Sequence, residues 1–222
     1  MPIRIDERLT AIATLIKGGT VADVGCDHGK LGYYLVSTDR AERVIATDIS
    51  APSLQKAYEL AFDNGVSHLM ETRLGDGLSP IKSNEVDTVV IAGMGGDVMA
   101  EILSSARLEG KEYKHFILSP NTHPEKVRRE LAKANHIIVT DNLTECAGKY
   151  YTIISTELNC DYKENLDDEQ ILYGKFYETD PVFAKRTREE IATMKGILEI
   201  HKSSALEEKI ARYEAILEKV KA

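Results

Sequence analysis

Glycines and acidic residues are closely spaced where two apolar runs of the sequence end. The first run leads into Val21-Ala-Asp-Val-Gly-Cys-Asp-His-Gly29, and Asp48 ends the second, Val44-Ile-Ala-Thr-Asp48. A glycine-rich turn after a strand lets the backbone approach a ligand, and a carboxylate after the next strand of an open α/β sheet binds ribose hydroxyls. Such glycines also close ordinary strand-to-helix turns. The two features together nevertheless predict a site for an adenosine-containing cofactor.

Two more glycine-rich segments follow apolar runs further along the chain. They are Leu74-Gly-Asp-Gly-Leu78 and Ile91-Ala-Gly-Met-Gly-Gly-Asp97. A Gly-Asp-Gly segment can be a plain surface turn, and the second segment can be a purely structural loop. Its glycines are more numerous than a turn requires, however. We therefore expect its backbone to approach a reacting group at the carboxyl edge of a sheet, where such folds bind their ligands.

Short β-branched runs alternate with helical patterns between residues 5 and 134. The predicted strands are Thr20–Val24, Arg43–Thr47, His68–Leu74, Asp87–Ala92 and His115–Leu118. The predicted helices are Ile5–Lys17, Lys30–Ser37, Ala51–Asn64, Asp97–Ser105 and Pro124–Ala134. Near-continuous apolar strands that alternate with helices are typical of a parallel sheet covered on both faces. The order of elements therefore predicts an α/β fold with a doubly wound sheet.

Two extended runs follow the fifth strand and helix. They are His136–Thr140 and Lys149–Ser155, and the segment between them is short and polar. A crossover helix has no room there, so the runs predict an antiparallel hairpin. Five parallel strands closed by such a hairpin form the Rossmann-like, seven-stranded sheet of class I S-adenosylmethionine-dependent methyltransferases, whereas a dinucleotide-binding fold would continue with another strand and helix. These methyltransferases commonly place an acid after the third strand to receive the adenine amino group, a role that Asp76 would fill.

Six segments of the chain form an ordered set of motifs. They are Arg8-Leu9, Ala22-Asp-Val-Gly-Cys-Asp-His28, Gly75-Asp-Gly-Leu78, Ile91-Ala-Gly-Met-Gly-Gly96, Leu118-Ser-Pro-Asn121 and Lys149-Tyr-Tyr151. In that order they resemble the bacterial tRNA adenine-22 N1-methyltransferases, the TrmK family. The resemblance implies methyl transfer from S-adenosylmethionine to N1 of adenine 22 in tRNA. Two alternatives stay open: a methyltransferase for a small molecule or another base, and a binding module without turnover.

The resemblance also implies a cofactor site and a substrate site. Cofactor binding is implied for Asp23, Gly25, Asp27, Asp48, Ile49, Gly75, Asp76, Gly77, Ala92, Gly93 and Met94. Substrate binding is implied for Arg8, Lys30, Gly95 and Tyr150. Lys30 departs from the tyrosine that is frequent in the family, and it could favour the phosphate backbone. Tyr150 and Tyr151 could stack on a base, but strand alternation predicts that one of them lies in the core.

Methylation at adenine N1 makes particular demands on the side chains of a site. The base must be unstacked or flipped, and alignment of N1 with the methyl group then supplies most of the rate. Because attack makes adenine cationic, we expect the Asp27 carboxylate to stabilise the charge, His28 to act as a base and Asn121 to bond the adenine edge. Each residue also has a structural alternative. Asp27 could cap the following helix, His28 could be a structural hydrogen-bonding residue, and Asn121 could initiate the turn before Pro124.

The C-terminal part of the chain has a different pattern. From Glu157 to Asp180, eight acidic residues stand against two lysines, which predicts a solvated connector. Mostly apolar positions then recur at alternating spacings of four and three residues, first at Thr187, Ile191, Met194, Leu198 and His201, and again at Leu206, Ile210, Tyr213, Leu217 and Val220. This spacing predicts an antiparallel helical hairpin, so we expect a methyltransferase domain over 1–158 and an acidic connector with a helical extension over 159–222. Outward lysines and arginines of the extension could contact tRNA phosphates or simply form a solvated face.

Length and composition set further limits. The 222 residues are 43% hydrophobic, which is enough for a core, yet no apolar run approaches the roughly 20 residues of a membrane span. A net charge of −8 argues against a general nucleic-acid coat. Cys26, Cys146 and Cys160 lack paired spacing, so neither a disulfide framework nor a metal site is expected. We expect a soluble, cytoplasmic and monomeric protein that acts on tRNA.

Overall fold

The computed structural model describes residues 3–221 and contains a seven-stranded sheet. Its strands are β1 (Thr20–Val24), β2 (Arg43–Asp48), β3 (Met70–Leu74), β4 (Thr88–Ala92), β5 (His115–Ser119), β6 (His136–Cys146) and β7 (Lys149–Leu158). They lie in the order β3-β2-β1-β4-β5-β7-β6. The first five are parallel, whereas β7 is antiparallel to β5 and to β6. The predicted α/β fold with its closing hairpin is confirmed.

Helices cover both faces of the sheet. They are α1 (Glu7–Thr14), α2 (Lys30–Ser37), α3 (Ala51–Asp63), α4 (Gly96–Leu108), α5 (Pro124–Leu131), α6 (Asp168–Tyr173), α7 (Pro181–Ile200) and α8 (Ser204–Leu217). Leu35 of α2 shares one core cluster with Val21, and Met99 of α4 shares the other with Ala22. Because neighbouring residues of a strand face opposite sides, the two clusters fill the two faces of one sheet.

The first helix is shorter than the predicted Ile5–Lys17. It begins at Glu7 because the Asp6 side chain accepts a hydrogen bond from the Leu9 amide at 2.7 Å and caps the helix. It ends at Thr14, before the glycine pair Gly18-Gly19. The apolar pattern continues beyond both ends, and it therefore overstates the length of the helix.

The closing hairpin is longer than predicted. Ala147 and Gly148 join its strands with φ values of 50° and 74°, the conformation of tight antiparallel turns. Only the segment from Ile154 to Glu157 pairs with β5. The hairpin tip therefore projects beyond the carboxyl edge of the parallel strands. Polar residues between 141 and 146 concealed this extension in the sequence.

The helical extension packs against the projecting tip. Within the extension, α7 and α8 pack through Ile191, Met194 and Ile210. A second cluster joins the extension to the hairpin and contains Leu143, Tyr177, Phe183 and Ile216. The predicted helical hairpin is thus present, and it stands beside the carboxyl edge where the sequence predicts the site.

The acidic connector is not merely solvated, and that prediction was wrong for two of its acids. Glu164 is buried, and its Oε2 accepts hydrogen bonds from the Ile138 amide and from Lys175 Nζ. Asp180 is also buried and accepts from the Leu143 amide. These carboxylates satisfy backbone donors of the outermost strand, β6, which has no further strand to pair with.

A buried ion pair fastens α6 to the rest of the fold. Arg128 of α5 makes two hydrogen bonds to the Asp141 carboxylate, at 2.7 and 2.9 Å. The same guanidinium donates to the Ile171 carbonyl, while Asp141 also accepts from the Lys175 amide. Side-chain exposure is 3% for Arg128 and 0% for Asp141, so the pair belongs to the interior.

Ion pairs occupy part of the positive charge of the extension. Lys185 pairs with Glu145 of the hairpin, and Lys195 pairs with Glu214 across α7 and α8. Arg186 pairs with Glu190 within α7. Several of the outward cations expected to face RNA therefore already contact carboxylates. Across residues 3–221, none of the helices is both apolar enough and long enough to cross a bilayer.

Candidate functional site

The predicted cofactor residues meet at the carboxyl edge, between β1 and β4. The strand order changes direction there, because β2 and β3 lie on one side of β1 while β4 and β5 lie on the other. Loops that leave neighbouring strands in opposite directions open a crevice at such a point. The loops after β1, β2, β3 and β4 therefore surround a common space.

The loop after β1 is held against β2. The amides of Gly25 and Cys26 both donate to the Thr47 carbonyl, at 2.8 and 3.0 Å. Gly25 has a φ of 72°, and a Cβ there would overlap the Cε atom of Met94. This position therefore favours glycine for its backbone conformation, whereas the flexible end of the Met94 side chain could move aside. Burial raises the pKa of the Cys26 thiol, which is consistent with a packing role.

Asp23 is a buried acid at this crevice. It is 5% exposed, and its Oδ2 atom has no hydrogen-bond partner among residues 3–221. Burial, assisted by the negative charge of Asp48, raises the pKa of Asp23 to about 7. An orphaned buried carboxylate oxygen would gain from a cationic or donor group of a ligand. The expected cofactor carries such groups, so the residues present fit it.

Asp48 anchors the neighbouring turn. Its Oδ1 accepts from the Ser50 amide at 2.8 Å, and its Oδ2 accepts from the Asp27 amide at 3.1 Å. Ile49, next in the chain, is 73% exposed. On the same side of the crevice, Asp76 is exposed in the turn that contains Gly75 and Gly77, and the Gly75 amide donates to the Asp48 carbonyl at 3.1 Å. Carboxylates in adjacent turns, with an uncovered aliphatic side chain beside one of them, suit an adenosine group, whose sugar is polar and whose base is flat and apolar.

Asp27 lies in the left-handed region, with a φ of 49°. Its Oδ2 is 2.6 Å from Nδ1 of His28, and its side chain is 73% exposed. The residue that caps α2 is Gly29, without any side-chain bond. The alternative that Asp27 caps this helix is therefore wrong, and its carboxylate remains at the mouth of the site.

The loops after β4 and β5 are joined to each other. Asn121 donates from Nδ2 to the Gly93 carbonyl at 2.7 Å, and its amide donates to the Met94 carbonyl at 2.8 Å. The Gly96 amide donates to the Thr122 carbonyl, and a Cβ at Gly96 would overlap the backbone of this loop. Asn121 therefore holds the two loops together.

Arg8 connects this loop pair to the closing hairpin. Its Nη1 donates to Oδ1 of Asn121 at 3.3 Å, and its guanidinium carbon lies 5.0 Å from the centre of the Tyr151 ring. Elements distant in sequence, namely α1, the β5 loop and β7, thereby converge on one half-buried cation. A guanidinium stacked on an aromatic ring is a common surface for a planar base.

The other predicted substrate residues lie around the same edge. Lys30 is exposed at the start of α2, and Gly95 is half-buried at the start of α4. Tyr150 donates its hydroxyl to Glu189 of α7 at 2.6 Å, and this bond raises the pKa of Tyr150. Neither Tyr150 nor Tyr151 is buried, so the prediction of one core tyrosine was wrong. Both lie on the projecting tip of the hairpin, beyond the part of β7 that pairs with β5.

An open cleft of roughly 730 Å³ adjoins Asn121. Its walls are the loop after β5, the tip of the hairpin and Arg186 of α7. The cleft is therefore large enough for more than a water molecule and is bordered by both parts of the chain. Residues 3–221 contain no cluster of His, Cys, Asp and Glu suited to holding a metal ion.

Comparison with known proteins places these features in context. Residues 5–154 match the family described as "Methyltransferase domain". The tRNA (adenine(22)-N(1))-methyltransferase of Bacillus subtilis (strain 168) is 32% identical over 205 residues, covering 89% of this chain and 85% of that protein.

Solved structures resemble the whole molecule. The crystal structure of the B. subtilis m1A22 tRNA methyltransferase TrmK is 29% identical with a TM-score of 0.77, covering 98% of this chain and 97% of that one. A Streptococcus pneumoniae protein in complex with S-adenosyl-L-methionine is 28% identical with a TM-score of 0.84, and the match covers 96% of this chain and 100% of that one.

Proposed function

Because the chain belongs to the tRNA (adenine(22)-N(1))-methyltransferase family, we infer that it transfers a methyl group from S-adenosylmethionine to N1 of adenine 22 in tRNA. The observation that carries this inference is the likeness to the B. subtilis enzyme over nearly the whole chain, helical extension included. The geometry of the carboxyl edge supports it independently. Glycine loops, the orphaned acid Asp23 and the carboxylates of Asp48 and Asp76 lie at that edge.

We propose that the crevice holds the cofactor through residues of four loops. These are Asp23, Gly25, Asp48, Ile49, Gly75, Asp76, Gly77, Ala92, Gly93 and Met94. When bound, S-adenosylmethionine supplies an electrophilic methyl group on a sulfonium centre. Asp23 would offer its unpartnered carboxylate oxygen, Asp48 would accept hydrogen bonds, and Ile49 would cover an apolar surface.

On the substrate side, we propose that Asp27 stabilises the positive charge that develops on adenine. Its carboxylate is exposed at the mouth of the crevice, 2.6 Å from His28 Nδ1, and the bond from its own amide to Asp48 anchors its backbone. A charge held in place before the reaction needs no reorganisation when the adenine becomes cationic. Asp27 would thus act in the transition state more than in binding.

Arg8 and Asn121 would shape the place of the base. Their contacts with each other, with Gly93 and with Tyr151 form one surface beside the cleft. A planar guanidinium above a tyrosine ring suits an unstacked nucleobase. The cleft between the β5 loop and α7 would then receive neighbouring parts of the RNA, with Lys30, Gly95 and Tyr150 near its entrance.

We also propose that the protein works in the cytoplasm as a monomer. The methyltransferase domain would comprise residues 1–158, and the connector and helical extension would comprise 159–222.

Mapping of the methylated nucleotide tests the proposed function. The purified protein, S-adenosylmethionine and unmodified tRNA with adenine at position 22 should give a methyl group on N1. This modification blocks the Watson–Crick edge and should stop a reverse transcriptase beside that nucleotide. Replacement of the adenine by guanine should remove the stop, because N1 of guanine carries a proton and offers no free lone pair.

Other outcomes would point elsewhere. Methylation at another position, or a stop that persists with guanine 22, would indicate a different base as substrate. Cofactor binding without transfer to any tRNA would favour a small-molecule methyltransferase or a binding module. Transfer to small molecules in the same assay would separate those two.

A further inference from the structure

Three side chains form a hydrogen-bonded chain at the mouth of the crevice. His28 Nδ1 lies 2.6 Å from Asp27 Oδ2, and His28 Nε2 lies 3.1 Å from Lys56 Nζ. Lys56 belongs to the exposed face of α3, whereas Asp27 and His28 belong to the loop after β1. The contact therefore joins a helix to the loop that presents the proposed charge-stabilising carboxylate.

The chemistry of these groups fixes where the imidazole proton lies. A lysine ammonium has three donors and no acceptor, so Lys56 must donate to His28 Nε2. His28 Nε2 must then carry a lone pair, and the proton of a neutral ring lies on Nδ1. That Nδ1–H donates to the Asp27 carboxylate. Both ring nitrogens are occupied, which favours the structural role for His28 over that of a free base.

The backbone contacts of Asp27 do not by themselves fix the orientation of its carboxylate. Its amide donates to Asp48, but its φ of 49° is unusual for a residue other than glycine. A largely exposed carboxylate on a single loop residue has several rotamers available to it. The bond from His28 engages only Oδ2, so it selects an orientation while Oδ1 stays available to the substrate.

We propose that Lys56 is a positioning residue for methyl transfer. It selects the Nδ1–H tautomer of His28, and that tautomer orients the Asp27 carboxylate toward the adenine. The inference deepens the proposed function and rests on it for the identity of the reaction. It predicts a dependence of turnover on an exposed helix residue that lies outside both the cofactor loops and the cleft.

A spectroscopic measurement tests the tautomer directly. Long-range ¹H–¹⁵N correlation spectra of the full chain, with His28→Gln used to assign the signals, should show His28 protonated on Nδ1 and unprotonated on Nε2. Lys56→Met should convert part of the His28 population to the Nε2–H or the doubly protonated form. A His28 ring that carries its proton on Nε2 in the unaltered protein would overturn the proposal.

Kinetics test whether the tautomer matters. Lys56→Met should lower kcat for tRNA methylation by about tenfold, the order found when a hydrogen-bond partner of a metal-binding histidine is removed, with little change in KM for tRNA or in cofactor affinity. Lys56→Arg should restore most of kcat, because a guanidinium also donates. Gln55→Met is the matched control on the same helix. Its side chain contacts Glu59 instead of the loop, so its kcat should be unchanged.

The remaining outcomes are decisive as well. A rise in KM for tRNA with kcat unchanged would make Lys56 a phosphate contact, and an equal loss of cofactor affinity would make it a cofactor contact. Either result, or full activity in Lys56→Met, rejects the positioning role. The spectra need no substrate. An unaltered protein with the expected tautomer that methylates no tRNA would therefore refute the proposed function and leave the hydrogen-bonded chain intact.

Discussion

Asp27 combines an exposed carboxylate with a backbone position set by Asp48. If its charge acts mainly on the cationic adenine, Asp27→Asn should lower kcat by about 100-fold or more, as does the loss of one preorganised hydrogen-bond donor in other enzymes. Cofactor affinity measured by calorimetry should change little. Asp39→Asn provides the control, since Asp39 shares the left-handed backbone at a φ of 54° in the exposed turn after α2. Equal losses of kcat and cofactor affinity would assign Asp27 to cofactor binding.

Asp23 should make the stability of the unliganded protein depend on pH. Its pKa is about 7 in the folded chain against 3.8 as the ordinary value, so the folded state holds this proton more tightly. The resulting stabilisation is complete below about pH 4 and is lost as the pH rises through 7. Thermal unfolding between pH 4 and 8 should show this loss in the unaltered protein and a flatter profile in Asp23→Asn. If the unaltered protein and Asp23→Asn lost stability in parallel, the ionisation of Asp23 would carry no cost in stability, contrary to the prediction.

At the scale of elements, the buried pair of Arg128 and Asp141 determines whether α6 stays attached. Removal of one partner leaves an uncompensated buried charge, so Arg128→Ala should reduce the free energy of unfolding by about 3–5 kcal/mol. Lys17→Ala breaks a pair with Glu157 whose side chains are 71% and 45% exposed. That control should cost at most about 1 kcal/mol. Urea denaturation gives both values. Similar losses in the two variants would show that the buried pair stabilises the fold no more than an exposed one.

The sequence predicts elements well where local pattern and burial agree. The parallel strands are apolar throughout because helices cover both faces, and their glycine loops are recognisable without tertiary information. The hairpin tip was missed because its polar residues resemble a loop. Asp141 of β6 is interior because Arg128 reaches it from helix α5 and neutralises its charge. Glu164 and Asp180 were assigned to solvent for the same reason, since their backbone partners lie in a distant strand.

Some residues of the candidate site can likewise be recognised in the sequence, whereas others are revealed only by the fold. The acid at the end of β2 and the glycines after β1 and β4 can be found from spacing alone. The sequence does not single out Lys56 or Glu189 as site residues, because a charged residue on the outer face of an amphipathic helix usually contacts only water. Their contacts with His28 and Tyr150 exist only after the fold brings α3 and α7 to the edge of the sheet.

At the scale of the whole molecule, an acidic protein must bind a polyanion. The chain has 36 acidic and 28 basic residues, and carboxylates already pair with Lys185, Arg186 and Lys195. We therefore expect few phosphate contacts, and a plot of log affinity for tRNA against log salt should have a slope of about −2 to −4. Filter binding at several salt concentrations measures it. A slope as steep as about −8 would indicate many phosphate contacts and would contradict this expectation.

The left-handed backbone conformation of Asp27 lowers the stability of the protein, whereas the proposed role of its carboxylate favours turnover. A side chain in this conformation costs roughly 1–2 kcal/mol relative to glycine, although aspartate tolerates it better than most residues. Glycine at this position would relax the loop and remove the carboxylate in one change. Variants selected only for heat resistance would therefore drift toward glycine and lose activity, as often happens where function depends on strain. On the proposed role of Asp27, a carboxylate at this position favours catalysis at the expense of stability.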